Sequence, residues 1–243
     1  MNSSRLIILS GAGLSAESGL RTFRDTGGLW ENERIETVCH ALTWEENIGA
    51  VHRFYNERRA QLSAAQPNAA HRMLAQWEER YSATILTQNV DDLLERAGCR
   101  RVIHLHGKLT EMRCEACGHV WNAGYASWKL GDPCPCSPQC ACVRGIRPNI
   151  VFFGEAAPAY EELWRAFTDI APADAVIVIG TSGVVLPVNA MVSGLKDAGT
   201  LVVLNNLHLQ AEIDDSFFTY VFHEPATQAA AKIDAALREH LRE

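Results

Sequence analysis

Short, unbroken apolar runs punctuate the chain: RLIILS (5–10), SATILT (82–87), RVIHL (101–105), NIVFF (149–153), DAVIVIG (174–180) and TLVVLN (200–205). None alternates apolar with polar residues, which is the pattern of strands covered on both faces, as in a parallel sheet. Helical segments lie between and after them: DDLLERAG (91–98), PAYEELWRAFTDIA (158–171), PVNAMVSGLKDAG (187–199) and the tail from Ala226. This strand–helix alternation predicts an α/β fold, a Rossmann-like, doubly wound parallel sheet.

Two stretches break the rhythm. Residues 32–80 read as successive helices, with AVHRFYNERRAQL (50–62) and AAHRMLAQWEERY (69–81) the clearest. Residues 111–142 have no helical period and carry six of the eight cysteines. The expected organisation is a Rossmann-like domain from 1–31, 81–110 and 143–243, a helical insertion over 32–80 and a cysteine module over 111–142.

Composition narrows the partners. Net charge is −7, so a broad basic footprint for nucleic acid is not expected. No apolar run approaches the roughly 20 residues that span a bilayer. LIIL near the start is too short for a secretory signal. A cytoplasmic protein without membrane or nucleic-acid partners is therefore expected, and in a reducing compartment clustered cysteines favour metal over disulfides.

Candidate chemistry begins at Gly11-Ala12-Gly13-Leu14-Ser15-Ala16, which fits the dinucleotide pattern G-x-G-x-x-A after a strand. A plain structural turn fits it equally well. The acidic residue that should follow about 20 positions on, ending a second strand, is missing: Glu31, Glu33 and Glu36 lie in GGLWENERIE, which is no strand. A hydride-transferring dehydrogenase is disfavoured accordingly. Phe23 and Arg24, in SGLRTFRDTGGLW, suit a lid over a nucleotide, or a surface loop. Asn89 and Asp91, in TQNVDD, sit where open α/β sheets contact ligands, although both residue types also cap helices. His106, in HLHGKL, follows another apolar run and is placed for acid–base work or for a structural role.

CEACG (114–118) is a zinc knuckle. Its complement in CPCSPQCACVRGIRP is ambiguous, since Cys134, Cys136, Cys140 and Cys142 all lie within reach. Tyr55 and Arg58, three apart in FYNERR, share one helix face and suit a carboxylate. On spacing alone, a solvated basic face with Arg53 and Arg59 is the better reading.

Taken together, GAGLSAESGLRTFR, TQNVD, HLHG, a four-cysteine module, RPNIVFFGE, GTS and LNN occur in the order seen in the sirtuins, the NAD-dependent protein lysine deacylases. The chain resembles that family over nearly its whole length. The resemblance implies that NAD is consumed: an acyl-lysine oxygen attacks the ribose carbon, nicotinamide leaves, and free lysine and O-acyl-ADP-ribose result. His106 matches the general base and acts with Asn89. Gly11, Ala12, Gly13, Ser15, Glu17, Phe23, Arg24, Trp30, Gln88, Asn89, Asp91, Gly180, Thr181, Ser182, Asn205, Asn206 and Ala226 match cofactor-binding positions. One structural zinc is implied at Cys114, Cys117, Cys136 and Cys142, with Cys140 the less comfortable substitute for Cys136.

Tyr55 and Arg58 then become substrate-binding residues. The Tyr-x-x-Arg pair is similar to sirtuins that remove succinyl, malonyl or glutaryl groups, with Cys39 where alanine is frequent. Bacterial members with the pair also deacetylate, so dual activity is expected of a monomer acting on acylated lysines of proteins. Leu94 replaces a frequent histidine, and Leu186 stands where an aromatic residue is common. The alternatives are an NAD glycohydrolase or mono-ADP-ribosyltransferase, and a non-catalytic NAD sensor.

Overall fold

A computed structural model describes residues 4–20, 29, 30, 33–136, 140, 142 and 145–241. In chain order the elements are β1 (Arg5–Ser10), α1 (Gly13–Ala16), β2 (Leu29–Trp30), β3 (Glu33–Arg34), α2 (Ile35–Val38), α3 (Ile48–Ala64), α4 (Ala69–Arg80), β4 (Ser82–Thr87), α5 (Leu93–Ala97), β5 (Val102–His104), β6 (Gly107–Cys114), β7 (Val120–Asn122), β8 (Ile146–Ile150), α6 (Tyr160–Ala166), β9 (Ala175–Ile179), α7 (Val188–Val192), β10 (Leu201–Asn205), β11 (Tyr220–Phe222) and α8 (Ala226–His240).

Six strands form one parallel sheet in the order β11-β10-β9-β1-β4-β5. Counted by their appearance in that sheet, this is the 3-2-1-4-5-6 order of a Rossmann fold read from the other edge. Both faces are covered, which explains the unbroken apolar runs. Leu6, Ile8, Ile85, Ile177 and Val203 pack with Leu74 and Trp77 of α4 and Ile233 and Leu237 of α8. Ile7, Leu9, Leu86, Val176, Val178 and Val202 pack on the other side with Leu163, Val188 and Val192. Each such aliphatic side chain, fully buried, contributes about 1.5–3 kcal/mol.

NIVFF departs from expectation. It overlaps β8, which joins an antiparallel sheet in the order β7-β6-β8 and not the parallel one. Its apolar side chains still need burial, and Ile150 and Phe152 find it against Val51, Phe54 and Tyr55 of α3. A β-branched run encodes a need for cover, not the sheet that supplies it. Conversely, β11 completes the parallel sheet with three residues that give too short a pattern to predict.

The two interrupting stretches also divide differently. α4 covers the parallel sheet, whereas α3 packs on the antiparallel one. Arg59 of α3 is fully buried. It donates to the carbonyls of Ala126 at 3.1 Å and Leu109 at 3.3 Å and to Asn56 Oδ1 at 2.6 Å. Helix and cysteine-bearing sheet are thereby one packed unit, and β6 enters it at Gly107. No described helix is long and apolar enough to cross a membrane.

Candidate active site at the carboxyl ends of the parallel strands

The chain reverses its winding between β1 and β9, and in open α/β sheets the crevice beyond such a switch point is where ligands bind. The N–H of Gly11 donates to Ile179 O at 2.9 Å, that of Gly13 to Gly180 O at 2.8 Å, and that of Gly180 to Asn205 O at 2.8 Å. A Cβ on Gly11 would lie 2.7 Å from Gly180 O, and one on Gly13 2.7 Å from Gly180 Cα. Gly180 has φ +67°, and a Cβ there would lie 2.4 Å from the Leu14 nitrogen. The glycines are thus required first by backbone packing of three strand ends. Because the N–H groups of Gly11, Gly13, Leu14 and Ser15 are bonded within the turn or to Ile179 and Gly180, it offers a ligand close approach at Ala12 and Gly13 more than open donors.

Beyond β4 the chain runs through Gln88, Asn89 and Asp91. The Asn89 N–H donates to Thr87 Oγ1 at 3.1 Å, and its Nδ2 donates to Ser15 Oγ at 3.1 Å. The Ser15 hydroxyl in turn donates to Asp91 Oδ2 at 2.9 Å. His71 of α4 closes the network. Asn68 N–H donates to His71 Nδ1 at 3.3 Å, so the ring proton sits on Nε2, 3.3 Å from Ser15 Oγ. Burial, with Arg72 nearby, pushes His71 down to about 4 and keeps it neutral. Burial also raises Asp91, against the pull of the Ser15 hydroxyl and the Leu93 N–H. Ser15, which the resemblance implies is a cofactor contact, is here a buried hub that orients Asn89 and Asp91.

His106 enters the same crevice from the end of β5. Its Nδ1 lies 3.0 Å from Gln88 O. A carbonyl only accepts, so Nδ1 carries the proton and Nε2 is the basic atom. Burial lowers its pKa below 6.5, opposed by the Gln88 bond. A base that must be neutral is then active down to lower pH, since activity is lost only as pH falls through the depressed value. The acidic limb of kcat/KM is expected below pH 6.5; a limb near 7 or above in a pH–rate profile contradicts this. His104 supports the site from behind, its Nδ1 2.9 Å from Asn89 O and its Nε2 2.8 Å from Glu95.

The other half of the crevice is joined to this one by Gln88 Nε2, which donates to Thr181 Oγ1 at 2.8 Å. Ser182 Oγ accepts from Val184 N–H at 3.3 Å. Asn205 is buried and clasps the chain after β11, donating to Phe222 O and Glu224 O, both at 2.9 Å. Asn206 is buried too, and among the described residues its Nδ2 has no hydrogen-bond partner. Ala226 opens α8. The Glu17 carboxylate is taken up by the first turn of that helix, accepting from Thr227 N–H at 3.0 Å and from its hydroxyl at 2.7 Å. Phe23 and Arg24 lie outside the described residues. Trp30 is placed only as backbone, in β2.

Tyr55 and Arg58 are both buried, 0% and 9% exposed, so the solvated basic face does not exist at these positions. Tyr55 stacks on Phe152 with ring centroids 6.0 Å apart. Cys39 lies beside it, and burial pushes its thiol up to about 11. The Arg58 guanidinium lies over Phe54, 4.9 Å from its centroid, and its ion pair with Glu57 is long at 3.8 Å. Leu94, in place of the frequent histidine, and Leu186, in place of the aromatic residue, are both buried in apolar clusters.

The sulfur cluster differs from the implied zinc set in two members. The four sulfurs that lie within 4.8 Å of one another belong to Cys114, Cys117, Cys134 and Cys140. Thiolates about 2.3 Å from a tetrahedral zinc stand about 3.8 Å apart. The Cys114–Cys140 and Cys117–Cys134 separations are 3.8 and 3.9 Å. Cys136 lies 3.3 Å from Cys117, off that geometry, and Cys142 is outside the cluster. Cys140, the less comfortable substitute for Cys136, is thus in the cluster, with Cys134 where Cys142 was implied.

His71, His104 and Tyr160 are the site residues that sequence reasoning passed over. Only Asn68-Ala69-Ala70-His71 left a signal, as a helix start with Asn68 Oδ1 accepting from the N–H groups of Ala70 and His71.

The chain matches the Sir2 family model over residues 11–187. It is 40% identical to an NAD-dependent protein deacylase of Helicobacter hepaticus, with 97% of this chain and 98% of that protein aligned. It is 41% identical to one of Salmonella typhimurium, over 94% of this chain and 82% of that protein. Among solved structures, a Sir2 homologue bound to ADP-ribose superposes with a TM-score of 0.81 at 34% identity, covering 98% of this chain and 93% of that one. A Sir2 homologue–NAD complex gives 0.80 at 32% identity, covering 98% and 90%.

Proposed function

Because the chain belongs to the Sir2 family, we propose that it is an NAD-dependent protein lysine deacylase acting on acidic acyl groups as well as acetyl. NAD, as co-substrate, supplies the electrophilic ribose carbon and the nicotinamide leaving group. The observation that carries the reading is the His106 imidazole, held by Gln88 O through Nδ1 so that its basic Nε2 faces a hydroxyl, that of Tyr160, at 2.9 Å. In that state it can take a proton from a ribose hydroxyl. Asn89 and Asp91, fixed through Ser15 and His71, orient the nicotinamide and ribose end. The buried, unpartnered Nδ2 of Asn206 and the close approach at Ala12 and Gly13 suit the rest of the dinucleotide. Holding two reactants in line supplies much of such a rate enhancement.

Acidic-acyl preference rests on Tyr55 and Arg58. A phenol and a buried guanidinium on one helix face suit a carboxylate, which accepts from both. Cys39, beside Tyr55, is only slightly larger than the alanine frequent at its position. The test is mass spectrometry of NAD mixed with acetyl-, succinyl- and unmodified lysine peptides. O-acyl-ADP-ribose from both acylated peptides is expected. Nicotinamide release without any acyl-peptide indicates instead a glycohydrolase or ADP-ribosyltransferase. Clustered thiols of this kind suit the cytoplasm.

Cys114, Cys117, Cys134 and Cys140 hold one structural zinc in this reading, with no ligand position left for catalysis. C134S and C140S are each expected to lose the metal and to lower Tm, whereas C136S and C142S retain one zinc per chain. Metal analysis of the purified variants checks this, and zinc lost from C136S but kept by C134S reverses the assignment.

A further inference from the structure

Tyr160, the first residue of α6, is half-buried against the apolar cluster beside the crevice. Its hydroxyl lies 2.9 Å from His106 Nε2, with the two ring centroids 5.9 Å apart. Since His106 Nδ1 carries the ring proton, the phenol must donate to Nε2. That is the same atom, and the same lone pair, that the proposed deacylation needs for a ribose hydroxyl. One sp² nitrogen has one in-plane lone pair and serves one strong donor at a time.

We propose that Tyr160 is a positioning residue whose hydroxyl stands where the substrate hydroxyl binds, holding the imidazole in its reactive orientation until the ribose displaces it. The inference rests on the deacylase reading for the identity of the displacing group. Its own content is a competition between phenol and ribose for Nε2. Burial raises the Tyr160 pKa, which keeps the phenol protonated and able to donate. The contact spans 54 positions.

The test uses calorimetry with ADP-ribose, which carries the ribose hydroxyls and reacts no further. Y160F keeps the ring and its packing and removes only the competitor. It is expected to bind ADP-ribose more tightly than wild type by roughly two- to tenfold, the worth of one neutral hydrogen bond. The KM for NAD should fall by a similar factor. In an H106A background, where Nε2 is gone, Y160F should give no gain, a coupling that a merely structural tyrosine would not produce. Equal affinity of Y160F and wild type, or an equal gain in both backgrounds, overturns the proposal. If wild type itself takes up no ADP-ribose, the dinucleotide reading falls as well; uptake by wild type with no change in Y160F sinks the Tyr160 inference alone. Thermal melting of Y160F within about 2 °C of wild type is the accompanying control, since removing one partly exposed hydroxyl leaves packing intact.

Discussion

Replacing His106 by alanine is expected to lower kcat for deacylation roughly 10²–10⁴-fold, the usual contribution of a positioned general base. The structure explains why no neighbour can substitute. His104 is engaged by Asn89 O and Glu95, and His71 is locked into the Ser15 network. The Tyr160 phenol is a donor at this position and a poor base near neutral pH. Affinity for the dinucleotide should change far less than kcat, because the imidazole makes one of many contacts in the crevice. The pattern to look for in steady-state kinetics is therefore a collapse in kcat with a modest change in KM. Retention of more than about a tenth of wild-type kcat removes His106 from the role of base, since the effect would be well under the expected range.

Replacing Arg58 by methionine is expected to cost desuccinylation roughly 10–100-fold in kcat/KM, the worth of hydrogen bonds to a charged group. Deacetylation should stay within about threefold, because an acetyl group presents no carboxylate to lose. Methionine preserves the packing over Phe54 and leaves no buried charge behind, so folding is not penalised. The acyl carboxylate is remote from the reacting carbon and is bound alike in ground and transition states, so the loss should fall mainly on KM. Y55F should show the same selectivity with a smaller amplitude, as the phenol adds one neutral donor. Equal losses on succinyl- and acetyl-peptides would remove the carboxylate role from the pair.

Much of the architecture was legible because its signals are local. Six apolar runs were read as strands, and five of them lie in the parallel sheet, where the chain's alternation with helices requires them. NIVFF failed because burial against α3 satisfies the same residues as burial in a Rossmann sheet. His106, Asn89 and Asp91 were legible because strand ends announce themselves as the place where an apolar run stops. Arg58 and Arg59 were not separable from Arg53 by spacing. Only the packing of α3 on the antiparallel sheet buries the first two and leaves Arg53 exposed.

By itself, then, the chain's residue order determined the longer strands and helices of the parallel sheet and its cover, the glycine turn, the presence of a thiol-rich module and the types of side chain available for chemistry. These follow from backbone preferences and from periodicity over a few residues. Tertiary structure alone decided which cysteines meet and that Ser15 bonds Asp91 and Asn89. It also decided that Tyr160 reaches His106. Such contacts join residues up to 76 positions apart, as Ser15 and Asp91 are. Their distances are set by how the whole sheet and its covering helices close, which covalent spacing does not constrain.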